Sequence, residues 1–423
     1  MPIESTGRRP ELDAIRAVVV VGLVFFHASL VFDTDDDYYV KNAVTTTATT
    51  ASAALGAVWA MPLLFLVAGL GAWHSLRNRG TGGFVRERLL RIGVPLAFVT
   101  VALDPVPQWL RLRGEHPEED IDYWAFLGKF FSVRPDLADF PFVLDGDWFE
   151  FGHLWFLVLL LTFSLLLAAA VRWIPAARPA GWRDRAAEAV TSRPSALFAA
   201  AVPIALICAV FGLEEGFAAW HRWAYLLFFG YGFVLASDDR FRTAMRRTAA
   251  VASAAGLVLF AMGLAGFMIG GDDSRDAFVE MNPTAIAART VFGAAGWCWL
   301  VAILGLLDRQ RVRIRVTAGD GHASESATPA GGRAGQGSAQ GSHARRGRRA
   351  YAYFGPAALP FYLLHQPVLV AVAYGVVGWE LPAGLKYLVI VVASLALTML
   401  IYDLFVRRTR VTRLLFGMRP ARA

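Results

Sequence analysis

The chain has 423 residues, of which 56% are hydrophobic and only 18% charged, with 13 Trp, 30 Phe and a mean hydropathy of +0.46. That composition leaves too little charged surface for a soluble domain of this length, so a water-soluble protein is excluded and the bilayer is the expected solvent. The net charge of +7 does not point to nucleic acid, because the basic residues gather beside the ends of apolar runs.

Runs of about 16–25 mostly apolar residues, the length a helix needs to cross the hydrocarbon core, are predicted at 17–32, 51–73, 92–109, 154–173, 196–213, 220–236, 248–270, 285–307, 352–378 and 385–406. The expected fold class is therefore all-α, a polytopic membrane helix bundle with about ten transmembrane helices. Arg8 and Arg9 precede the first run as they would in a secretory signal. No small-residue cleavage site follows it, however, and Asp33, Asp35, Asp36 and Asp37 come directly after, so it reads as a retained helix.

Ten crossings put both termini on one side, together with the segments 74–91, 172–195, 237–247 and 308–351. These hold most of the 41 Lys and Arg. By the positive-inside rule they are expected to be cytoplasmic, in a multi-pass protein of the cell membrane. The expected layout is a transmembrane bundle over 1–307, a linker over 308–350, and the last two spans with a basic tail over 351–423. The linker is Gly-, Ser-, Ala- and Arg-rich, with almost nothing to bury, and is expected to be disordered. The outer segment 110–153 is long for a bundle connection and is expected to fold back as a cap, with an interfacial stretch near YWAFLGKFF. Cys208 and Cys298 both fall inside spans and read as small buried hydrophobes rather than a disulfide framework.

Ionisable residues inside the spans carry the functional argument, since they are costly there and usually face a bundle interior or a water-filled path. In LDAIRAVVVVGLVFFH, Arg16 and His27 are eleven residues apart. On a helix this is about 1100° of turn, within about 20° of the same face, and a rise of roughly 16 Å. Arg16 then lies at the inner mouth and His27 near mid-membrane, with Asp13 on the same face, placed to hold the guanidinium. A neutral histidine bonded to a neighbouring carbonyl is the plainer alternative. In RNRGTGGFVRERLLRIGVPL, Arg88 and Arg91 share a helical face and are suited to bidentate phosphate binding, although any cytoplasmic segment is expected to be basic. In DWFEFGHLWFL, Glu150, His153 and Trp155 stand at an outer surface. They are suited to a sugar's hydroxyls and ring faces, or equally to an aromatic belt. In LPFYLLHQPVLV, His365 lies near mid-depth.

The segments LDAIRAVVVVGLVFFH, MPLLFLVAGL with RERLLRIGVPL, HLWFLVLLL and LPFYLLHQPVLV, in this order and at these separations, resemble the integral-membrane acyltransferase family 3. Within it they are most similar to the branch that succinylates periplasmic glucans, down to the terminal LLFGMRP. The resemblance implies that Arg16 and His27 are the family's spaced pair, His27 being the catalytic base, and that Arg88 and Arg91 meet the donor's phosphates. It also implies transfer of an acyl group from cytoplasmic acyl-coenzyme A to a hydroxyl of an extracytoplasmic carbohydrate or other acceptor. The chain departs from the family at Ala68, Gly69 and Leu70, where Ser-Gly-Tyr or Ser-Gly-Phe is common, and at Gln366, where the glucan branch has a second histidine.

The chemistry is consistent with these residue types. Attack on a thioester needs a base for the hydroxyl and donors for the oxyanion, with no metal and no tightly bound cofactor; acyl-coenzyme A is a co-substrate, and an imidazole is a natural base near neutral pH. His365 and Asp13 are placed as supporting residues, and Glu150, His153 and Trp155 as acceptor-binding ones. The expected partners are the donor, the acceptor and the lipid bilayer, with no nucleic acid. A transporter or flippase using the same buried polar groups, or an accessory protein without turnover, are the rivals; no convincing pair of interrupted helices supports transport.

Overall fold

The computed structural model describes residues 10–34, 37–46, 48–173, 179–214, 216, 218–269, 276–325 and 337–419. They form sixteen α-helices and one two-stranded ribbon. The helices are α1 (Pro10–Leu30), α2 (Ala48–Ala57), α3 (Ala60–Arg88), α4 (Val94–Ala102), α5 (Pro105–Glu115), α6 (Tyr123–Phe130), α7 (Trp155–Trp173) and α8 (Pro179–Ser192). They continue as α9 (Ala201–Phe211), α10 (Arg222–Leu235), α11 (Asp239–Ile269), α12 (Asp276–Val279), α13 (Pro283–Glu325), α14 (Gly337–Val376), α15 (Ala383–Ile401) and α16 (Arg410–Leu415). The ribbon pairs β1 (Arg134–Pro135) with β2 (Leu144–Asp145), antiparallel, with Arg134 opposite Asp145.

Among the described residues, seven helical segments are long and apolar enough to cross a membrane, and there are two shorter apolar helices, Ala14–Leu30 and Arg222–Leu235. This is a largely helical membrane protein. One of the seven, Ala54–Glu115, runs for 62 residues and contains the two spans expected at 51–73 and 92–109. The basic connection expected between those spans is itself helical and belongs to α3. It breaks at Gly80, whose φ of 67° and ψ of 178° are open to glycine alone. A π-helical turn, Leu89–Gly93, then leads into α4. Pro95 has no N–H, so the helical ladder slips by one residue before it, and Val94 N–H bonds to Leu89 O.

The chain divides into two compact units. The first comprises residues 1–56, 79–172 and 353–423. Here α1 packs on α15, and the 37–46 loop closes over the end of α1 through Asn42 N–H to Val31 O and Thr46 N–H to Phe32 O. The outer segment folds around Leu112, Phe126 and Phe130, with Trp109, Ile121, Trp148 and Phe149 against them. Asp122 caps the N-terminus of α6 through Ala125 N–H at 2.8 Å.

The second unit comprises residues 57–78 and 173–352 and is organised by α11 and α13 packed along their length, with α9 against α13. Two of its indoles, Trp220 and Trp297, are buried and donate to Ala57 O and Leu197 O. Cys208 and Cys298 are free and buried in it. Helix α13 runs beyond residue 307, where the disordered linker was expected to begin, and α14 resumes at Gly337. Asp308 is buried and bonded to Arg242 at 2.5 Å, with Arg246 at 3.6 Å. These ion pairs add packing to the start of a stretch whose Ala and Arg residues already favour helix. Residues 326–336 lie outside the described ones.

Candidate active site

The sequence LPFYLLHQP builds the centre of the first unit. Proline has no N–H, so within a helix it frees the carbonyl four residues before it. For Pro367 that carbonyl is Leu363 O, and His153 Nε2 takes it at 3.3 Å. From the same helix, Tyr362 Oη–H donates to the carbonyl of His153. His153 therefore stands against α14 in both ring and backbone. One residue before Gln366, His365 Nδ1 lies 2.5 Å from Tyr362 O. A ring nitrogen facing a carbonyl must carry the proton, which leaves Nε2 of His365 as a lone pair. That atom is buried and has no hydrogen-bond partner.

His27, from α1, completes the group. Its ring centroid is 5.2 Å from that of His365, and His153 is 5.3 Å from His365 on another side. Tyr38 stacks on His27 at 6.0 Å. The Nδ1 of His27 is buried without a partner, so that nitrogen is not the carbonyl-bonded one of the plainer alternative. His153 and His365, expected at the outer surface and near mid-depth, share one level because the carbonyl freed by Pro367 draws the first onto the second.

Outside the histidines, Tyr39 donates to the Glu150 carboxylate. Burial and the neighbouring carboxylate push the Tyr39 phenol well above its ordinary range, so it remains a donor at neutral pH. Burial also raises Glu150, against the opposing pull of Tyr39, Arg111 and Gln108. Gly152 links these groups to α14. Its φ is +43°, and the position a Cβ would take is 2.8 Å from Tyr39 Oη, 3.9 Å from Glu150 Oε1 and 3.9 Å from Gln366 Nε2. Asp104 and Gln108 are buried nearby, Asp104 within electrostatic reach of Glu150 and Tyr39.

The arginines converge at the start of α1. Arg88 closes α3 with its guanidinium over the Phe84 ring at 4.9 Å, and its Nε is buried without a partner. Arg91, in the π-helical turn, donates from Nε to Gly417 O at 3.2 Å and lies 3.5 Å from Glu87. Glu87 is shared with Arg79 at 2.7 Å. Arg16 is within electrostatic reach of both Arg88 and Arg91. Several guanidinium groups thus crowd around one carboxylate, which suits the recruitment of an anion.

The structure accordingly brings His27, His153 and His365 into one cluster, and Arg16, Arg88 and Arg91 into another. Glu150 adjoins the first. Trp155 lies in the first turn of α7, edge-on to Phe156, and the side chain of Asp13 lies outside the described ones. Among the described residues no group of three or more His, Cys, Asp or Glu could hold a metal ion. Sequence reasoning missed Tyr39, Gln108, Tyr362 and Asp104. A lone carboxylate inside the run 92–109 was the signal for Asp104, and the proline two residues after His365 was the signal for the link to His153.

The family model described as an acyltransferase domain, that of acyltransferase family 3, matches residues 9–403. No curated protein and no solved structure matches the chain.

Proposed function

Because the chain belongs to acyltransferase family 3, a family of membrane O-acyltransferases, we propose that it carries an acyl group from cytoplasmic acyl-coenzyme A to a hydroxyl of an extracytoplasmic carbohydrate or similar acceptor in the cell membrane. In this reading the helices make ten crossings, the 62-residue segment making two and the two shorter apolar helices one each, with both termini cytoplasmic. The observation that carries it is the pairing, along α1, of a guanidinium cluster with a histidine cluster. Arg16 and His27 are separated by about 16 Å of helical rise, a spacing that suits the phosphate end and the thioester end of one elongated donor.

Arg88 and Arg91, with Arg16, hold the donor's phosphates. The acceptor hydroxyl gives its proton to His27 as its oxygen attacks the thioester carbonyl. The tetrahedral adduct collapses, the carbon–sulfur bond breaks, and the departing thiolate takes the proton back from the imidazolium. The lone pair on His365 Nε2 is the acceptor available to the imidazolium N–H, and His153 orients this pair from the outer side. The products are an ester and free coenzyme A, with no proton gained or lost.

Incubating the purified protein with radiolabelled acetyl- and succinyl-coenzyme A, with and without glucan oligosaccharides, tests the reaction. Acceptor-dependent thiol release is expected; no thioester loss under any condition would remove the reading. The sidedness has its own test. In a background lacking Cys208 and Cys298, an impermeant maleimide added from outside should label Asp145→Cys and spare Ala330→Cys. The reverse pattern would place the arginine cluster away from cytoplasmic donor.

A further inference from the structure

The segment LLFGMR, Leu414 to Arg419, ends α16 in a conformation that favours glycine. Gly417 has a φ of +67°, Met418 N–H bonds to Arg413 O at 2.7 Å, and Gly417 N–H bonds to Leu414 O at 3.0 Å. This is the paired closure of a helix that stops on a left-handed residue. Phe416 and Met418, on either side of the glycine, are buried, and the Phe416 ring stands edge-on to Phe98 of α4 at 5.6 Å. Arg413 donates from Nη2 to Arg419 O at 2.7 Å, so the turn is also tied from within.

This turn sets the Gly417 carbonyl against Arg91, 326 positions earlier, whose Nε donates to it at 3.2 Å. A Cβ on Gly417 would fall 2.5 Å from Arg91 O, 2.7 Å from Leu359 Cδ2 and 3.0 Å from Pro95 Cγ. Conformation and space therefore both ask for glycine here. Arg91 Nη1 lies 3.5 Å from Glu87 Oε1. A planar guanidinium held at two of its nitrogens keeps its remaining N–H groups pointing one way.

We propose that the turn at Gly417 positions the donor site, its carbonyl holding the Arg91 guanidinium in the orientation in which it meets a phosphate. The proposal rests on the acyl-coenzyme A reading above. An arginine side chain loses rotamer freedom when it grips an anion, and ordering it beforehand removes that cost from binding. A neutral carbonyl orders the group without cancelling its charge. Gly417 is thus a positioning residue, acting through Arg91 and touching no substrate.

A double-mutant cycle tests this without turnover. Free coenzyme A is titrated calorimetrically into the full-length parent, Gly417→Ala, Arg91→Ala and the double variant, each in lipid nanodiscs. Gly417→Ala displaces the turn and is expected to weaken binding about three- to tenfold, the worth of ordering one long side chain in advance. In the Arg91→Ala background the same substitution is expected to change nothing, because the group it positions is gone. Should Gly417→Ala not fold, Phe416→Leu, which loosens the contact with Phe98 and keeps the glycine, takes its place in the cycle. Unchanged affinity, or an equal loss with and without Arg91, would overturn the proposal and leave the turn as a tie between α16 and α4. Coenzyme A binding by the parent would then leave the donor reading standing. No binding by the parent would remove both.

Discussion

Arg289 and Arg88 are both arginines set among apolar helices, one in each compact unit, and they are held in opposite ways. Arg289 is fully buried in the second unit and spends its Nη atoms on Ala277 O, Glu280 O, Ala209 O and Met281 Sδ, leaving only Nε open. Asp308 in the same unit is matched by Arg242 and Arg246. In the first unit, Arg88 Nε, His27 Nδ1, His365 Nε2, Gln366 Oε1 and Asp104 Oδ2 are all buried without hydrogen bonds. A buried polar atom left unpaired costs about 1–3 kcal/mol. Such a set, gathered at two places, marks groups that a ligand completes, whereas in the second unit the unpaired atoms, Arg183 Nε, Arg289 Nε and Trp299 Nε1, are one each on side chains far apart in sequence.

The sharpest way to break this contrast is at His27. His27→Ala is expected to lower turnover by about 10²–10⁴-fold, the usual worth of a general base. Thermal stability should stay near that of the parent, because the Nδ1 atom it removes has no partner to abandon. Rates at matched amounts of inserted protein, read beside melting curves, decide it. Loss of stability with retained turnover would return His27 to a packing role.

Arg289→Ala is the opposite probe. It strips the donor from three carbonyls and opens a cavity, so a loss of about 3 kcal/mol or more is expected. The fraction that still folds should bind coenzyme A as the parent does. Melting of the nanodisc-reconstituted variant and titration with coenzyme A measure the two effects separately. Weakened donor affinity at unchanged stability would make Arg289 the ligand-facing arginine and erase the contrast between the units.

Arg88→Ala comes next in size. If its open Nε and the neighbouring guanidinium groups hold phosphate, coenzyme A affinity should fall by about 1.5–3 kcal/mol, the range for a hydrogen bond to a charged group. Arg88→Lys should restore little of it, since an ammonium lacks the planar fork. Unchanged affinity in an Arg88→Ala, Arg91→Ala double variant would leave these residues with topology alone.

How much of this was legible before the structure depends on the range of the signal. Apolar runs and the spacing of Arg16 and His27 on one helix are local, and the sequence carries them directly. The joining of His153 to His365 is not local, because it depends on a carbonyl that Pro367 frees more than two hundred positions further along the chain. Asp104 was visible as a carboxylate in an apolar run but could not be weighed, since its meaning comes from Tyr39 and Glu150 on other elements. The connection between the second and third spans, legible in the sequence as a basic segment joining two apolar runs, is itself helical. Its three glycines mark one break at Gly80, and the residues around them favour helix.

The smallest expected effect concerns Glu150, which lies in a loop between the two kinds of burial. Its pKa is raised above the ordinary 4.5 mainly by burial, while Tyr39, Arg111 and Gln108 pull the other way. A raised carboxyl binds its proton more tightly folded than unfolded. The stability this contributes is complete below the unfolded value and is lost as pH rises through the folded one. Glu150→Gln keeps an acceptor for Tyr39 and removes the ionisation. The difference in melting temperature between parent and variant should therefore be small below about pH 4 and grow in the variant's favour as pH rises from there. Growth in the parent's favour would mean that its hydrogen bonds and Arg111 outweigh burial, so that Glu150 is a matched acid like Asp308 and belongs to the fold rather than to the open interior.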